Sequence, residues 1–153
     1  MCLALYIAAE DELPLFTSPP HQGFVATPSR RSRRADRFHT ELLKEDQHIV
    51  RAHFSTPHVL FAASYEGCSC GFNYGRGDNS EYEDDEEQLL AARESVAELV
   101  RYVREHRVKE LYACWFNDEA LPQESERWVT VDDLSSPTFV FIQKQLLRIA
   151  YTG

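Results

Sequence analysis

One segment constrains this chain more than any other. Between Ser80 and His106, the residues Leu89, Ala92, Val96, Leu99, Val100 and Val103 recur at steps of three and four. At 3.6 residues per turn these positions share one side, so the spacing predicts a long helix with a single apolar stripe. Ser80 and Glu83 have capping-box spacing at its start. Acids from Glu81 to Glu87 precede the stripe, and Arg101, Arg104 and Arg107 close it, which is the order the helix dipole favours. A stripe of this kind has to be covered, and the rest of the chain offers mostly β-prone runs to cover it.

Cys2–Ala9 is a continuous apolar run ended by Glu10, which predicts a buried strand. Phe38–Leu43, His58–Ser64, Val108–Phe116 and Arg127–Val131 read as further strands, and Thr138–Tyr151 leans the same way. Cys70, Phe72 and Tyr74 alternate, which predicts a hairpin partner for His58–Ser64 after the Glu66-Gly67 turn. Asp46–Phe54 reads as a short helix, with Asp46 as its cap and Ile49, Val50 and His53 on one face. Pro14–Arg37, with four prolines and an arginine-rich end, reads as a long irregular surface loop. The fold class expected is α+β: one globular domain over residues 1–153, with a mixed or antiparallel sheet of five to six strands. The long helix packs on one face, and a second short helix accompanies it.

Charge narrows the function. Sixteen Lys and Arg against 25 Asp and Glu leave a net charge of −9. Such a surface repels phosphate backbones, so no nucleic-acid partner is expected; a basic protein partner fits better. Five arginines between Arg30 and Arg37 are read as a solvated loop or one lying on the protein's own acidic surface. No apolar run approaches the roughly 20 residues a bilayer needs, so no membrane partner is expected. Four cysteines without a signal peptide point to reduced thiols and a cytoplasmic location.

Special chemistry concentrates between Pro57 and Gly77, which holds two of the four cysteines and four of the six glycines. Cys68, Cys70, Gly71, Tyr74 and Arg76 are the candidate binding residues. In an extended strand, Cys68 and Cys70 would lie about 6.6 Å apart at Cα, at the edge of disulfide reach. As metal ligands they suit a soft or borderline ion, zinc being the cofactor considered. Only one short Cys pair is visible, so His53 and His58 are taken as the completing ligands, with Cys114 as another source. A second reading makes Cys68 or Cys70 a nucleophile with His53 or His58 as its base. The competing account is small buried thiols packing a glycine-tight hairpin.

Loss of Met1 would expose Cys2 as a terminal nucleophile, an arrangement that resembles N-terminal nucleophile hydrolases over those two residues. The alternative for Cys2 is a buried strand residue. The glycine spacing fits neither a P-loop nor a dinucleotide fingerprint, since no Gly-Lys-Ser/Thr follows and acids precede the helix. Arg76-Gly77-Asp78 spells an integrin motif too short to carry weight. No carboxylate pair stands out as acid and base. The remaining histidines, His21, His39, His48 and His106, are expected at the surface or rim.

Two function classes follow. The first is a small acidic cytoplasmic interaction protein without catalytic activity. The second is a metal- or thiol-dependent protein centred on the Cys-Ser-Cys-Gly segment.

Overall fold

Strand β1 (Leu3–Ala9) is buried at every residue, because it pairs on both edges and is covered on both faces. This is the structural meaning of its uninterrupted apolar run. The structure, a computed structural model, describes residues 2–18, 36–77 and 85–151. The other strands are β2 (Thr17–Ser18), β3 (Phe38–Glu41), β4 (His58–Ser64), β5 (Glu110–Trp115), β6 (Ser125–Val129) and β7 (Gln145–Ile149). They form one seven-stranded sheet in the order β2-β3-β4-β1-β5-β7-β6. All pairings between the named strands are antiparallel except β6 with β7, and an isolated Ala113–Gln143 bridge is also parallel, so the sheet is mixed. The class is α+β as expected, with more strands than the five to six expected.

Helix α1 (Glu86–Glu105) buries Ala92, Val96, Leu99, Val100 and Val103 of the sequence stripe. Val96, Leu99, Val100 and Val103 meet Leu3, Leu5 and Ile7 from one face of β1 and form the larger core there, while Ala92 packs with Ala91 and Tyr65. Asp85 caps the helix, its carboxylate accepting from the Gln88 N–H at 3.1 Å. The expected Ser80 cap lies outside the described residues. At the other end Arg107 takes a positive φ and stops the helix.

Ala4, Tyr6 and Ala8 point to the opposite face, where they pack with Val50, Phe61, Tyr112 and Cys114. That face is covered by a 3-10 helix at Glu45–His53. It differs from the expected Asp46–Phe54 helix in its cap and its face. Lys44 is the capping residue, its N–H held by the Gln47 side chain at 2.8 Å. Gln47 and Val50 are buried, while Ile49 is exposed.

Four further expectations change. Cys70–Tyr74 is no strand: Cys70–Phe72 is a short 3-10 turn. Gly67 and Gly75 on either side adopt positive φ, which breaks an extended path. The loop from Pro14 contributes β2, although residues 19–35 lie outside the described set. Arg37, the last of the arginine run, is fully buried and donates from Nε to Glu94 of α1 at 2.7 Å. His39 is buried too, between the carboxylates of Asp36 and Glu41. Among the described residues, no helix is long and apolar enough to cross a membrane.

Candidate metal centre

The β4 to α1 connection does not run free after Ser64. It folds back and wedges into the open end of the β1–β4 pair. Ser69, fully buried, is the tip of the wedge. Its N–H donates to the Leu3 carbonyl at 3.0 Å. Its Oγ accepts from the Leu5 N–H at 2.8 Å and donates to the Ala62 carbonyl at 2.6 Å. One serine thereby takes over hydrogen bonds that the two strands would otherwise exchange. Ser64 closes the turn, its N–H and Oγ both donating to the Cys68 carbonyl. Gly71 fits because it has no side chain: a Cβ there would lie 2.6 Å from the Tyr65 ring and overlap Ser64.

This wedge sets Cys68 and Cys70 beside the start of β1. The third member of the group is Cys2, and the three sulfurs all lie within 4.8 Å of one another. Cys2 is exposed, not the buried strand residue expected, while Cys68 and Cys70 are half-buried. Its carbonyl accepts from the Phe116 N–H at 3.0 Å, so its backbone belongs to the sheet although its side chain faces outward. All four cysteines are free thiols.

The sulfurs are electrostatically unequal. Cys70 Sγ accepts the Leu3 N–H at 3.1 Å. It also accepts from the Cys68 thiol, which is the largest influence on it. Together with a weaker contribution from Cys2, these donors bring the Cys70 thiol down to about 6, against the opposing effect of burial. Donation to Cys70 and burial hold the Cys68 thiol far above its ordinary value. Cys70 is therefore the most readily ionised thiol of the group. Three sulfurs bound to one ion at about 2.3 Å stand about 4.0 Å apart when trigonal, so the observed cluster needs little closure to hold an ion.

The other candidate residues lie elsewhere. His53 stacks on Tyr112 at 4.2 Å between ring centres, and its Nε2 meets the Glu119 carbonyl at 2.9 Å. That is the face opposite the larger core, against which Cys70 packs. His58 begins β4, six residues before Ser64, and is about 20 Å away by strand rise. Neither histidine joins Cys68 and Cys70 as ligand or base. Cys114 is buried on the His53 face, 3.9 Å from Glu119 Oε2, with burial and then that carboxylate pushing its thiol up to about 12. Tyr74 and Arg76 line a cavity of about 420 Å³ against α1, together with Leu89, Ala92 and Val96.

Arg76 is only 7% exposed. It donates to the carbonyls of Phe72, Leu134 and Ser136, and its guanidinium stands over the Phe139 and Phe141 rings. This is a clamp between two loops. A buried guanidinium of this kind is unavailable to an integrin, which removes the Arg-Gly-Asp reading.

Sequence reasoning missed Glu110. It is buried in β5, and its carboxylate accepts from the N–H and hydroxyl groups of Ser55 and Thr56 at 2.8 to 3.3 Å. Arg148 donates to it at 3.3 Å. The signal available was a single acid inside the apolar run Val108–Phe116. No family model, curated protein or solved structure matches this chain.

Proposed function

We propose that this chain binds one thiophilic metal ion through Cys2, Cys68 and Cys70. The observation that carries the reading is the convergence of three sulfurs from two distant parts of the chain within 4.8 Å of one another. A packing role for small thiols gives no reason for three of them to meet beside solvent. The hydrogen bonds around the site favour ligation as well. Metal ligands have to be deprotonated, and Cys70 is already biased to the thiolate by the Leu3 N–H and the Cys68 thiol. Ser69 and Gly71 hold the Cys68–Phe72 turn in place, so the ion would meet a largely prepared site.

The reading of an acidic interaction protein rests on net charge, the acidic start of the helix and the lack of a catalytic constellation, and among the described residues no particular surface adds to it. The thiol reading is therefore preferred. Native mass spectrometry of the full chain, purified without chelator, tests it. The expected result is one ion per chain, lost in the Cys68→Ser/Cys70→Ser variant. A bare mass after incubation with zinc and with copper(I) under reducing conditions would end the proposal.

A further inference from the structure

We propose that the ion taken by this site is copper(I), held by three sulfurs without a fourth protein ligand and exchanged on the Cys2 side. The inference rests on the metal reading above and adds the identity of the ion and its route.

The donor set comes first. Among the described residues, the ligand group contains sulfur alone: no histidine nitrogen or carboxylate oxygen lies within it. Structural zinc is almost always four-coordinate. An all-thiolate set of three suits a softer ion that is satisfied by fewer ligands. Glu66 is the acid whose charge reaches Cys70, but its Oε1 already accepts from the Tyr65 hydroxyl at 2.9 Å and from Gln88 Nε2 at 3.0 Å. Oε1 is thereby tied toward α1, and Glu66 is not a member of the ligand group.

The unequal settings of the sulfurs supply the route. Cys70 packs against the larger core, and the buried Ser69 holds the turn that carries both Cys68 and Cys70. These two sulfurs are the fixed half of the site. Cys2 is exposed, yet its carbonyl is anchored by Phe116, so its thiol is presented at the surface and not left on a loose end. An incoming thiolate can therefore displace Cys2 first, leaving copper on Cys68 and Cys70 until the exchange is complete. Ligand substitution of this kind needs no change of oxidation state: one copper–sulfur bond forms as another breaks, and the departing thiolate takes up a proton.

The test uses the full chain under anaerobic, reducing conditions. Copper(I) is titrated in competition with a colorimetric copper(I) chelator, and zinc is titrated separately against a zinc indicator. One copper per chain is expected, with X-ray absorption reporting three sulfurs and no nitrogen or oxygen neighbour. Zinc should bind more weakly than copper(I), since softness and ligand number both favour copper. Cys2→Ser should still bind copper, but lose it to the chelator at least about tenfold faster, a loss on the scale of disturbing one site partner. Cys114→Ala should leave copper binding unchanged.

Tight zinc binding with copper(I) refused would overturn this inference while sustaining the metal reading. So would a four-coordinate copper with nitrogen or oxygen neighbours, or a Cys2→Ser variant that releases copper no faster. Failure to bind either ion would overturn both. Circular dichroism of each variant distinguishes lost ligation from lost folding, and Cys2→Ser, outside the core, keeps the test open if the buried positions do not tolerate change.

Discussion

The two ends of the β1–β5 pair both carry polar chemistry, at opposite extremes of satisfaction. At one end Ala8 faces Glu110, and at the other Leu3 faces Trp115. Glu110 is surrounded by donors from Ser55, Thr56 and Arg148, so its oxygens have what a buried carboxylate needs. It pins the Ser55–Thr56 break to the sheet. The three sulfurs beyond Leu3 depend chiefly on one another, with the Leu3 N–H the one backbone donor to Cys70. The comparison teaches how to read polar clusters. Groups whose complements are already in place serve the fold, while like groups gathered at a surface leave room for an ion to serve them.

The largest effect expected tests the satisfied end. Glu110→Ala strands the Ser55 and Thr56 donors and leaves Arg148 without one of its carboxylates. It should cost about 3 kcal/mol in urea unfolding. Metal uptake by the folded fraction should be unchanged; a parallel loss of uptake would show that the two ends are coupled.

Gly71→Ala comes next. The added Cβ meets Tyr65 and Ser64, an overpacking expected to cost about 1–3 kcal/mol. Because Gly71 adjoins Cys70, metal affinity should fall in the same variant. An unchanged affinity would mean that the turn does not position the thiol.

Cys68→Ser should lower metal-free stability by less than about 1 kcal/mol, as for most changes outside the core. Its effect should lie in the loaded protein. Wild type should gain about 2.7 kcal/mol when free ion reaches a hundred times its dissociation constant, and the variant should not. Equal thermal shifts in the two proteins would remove Cys68 from the site.

The smallest effect is one of pH. Cys70 in the metal-free protein should alkylate with a midpoint near pH 6. Below that pH it is protonated and slow; above it the rate should level off. The same sign applies to stability, because the folded thiol ionises more readily than the unfolded one. Its contribution is complete above the ordinary thiol range and is lost as pH falls through about 6. Cys68→Ala removes the strongest donor, so the midpoint should move upward. A midpoint that stays in place would assign the effect to the Leu3 N–H instead.

Much of the architecture was legible in the chain. The stripe from Leu89 to Val103 identified α1, and the unbroken run of β1 identified a strand covered on both faces. Periodicity carries this information because it reports which side of an element meets the core. The Cys70–Tyr74 strand was misread because alternation over five residues cannot register a serine inserted between two strands, or a glycine pressed on Tyr65. Arg37 and His39 looked like surface residues for a similar reason: their partners, Glu94 on α1 and the flanking Asp36 and Glu41, count only once the chain has folded around them.

The candidate site divides along the same line. Cys68, Cys70 and Gly71 were recognisable from the sequence because they are neighbours and their chemistry is local. His53 and His58 were close in number but are held on another face and at another end of the sheet. Cys2 was distant in number and is adjacent in space: Leu3 and Cys70, which are hydrogen-bonded, lie 67 positions apart. The helix, the buried strands and the neighbouring pair of thiols are properties of local pattern, and the chain carries them openly. The third thiol of the cluster emerges only in the folded chain, because strand pairing, and not sequence distance, brings the two segments together.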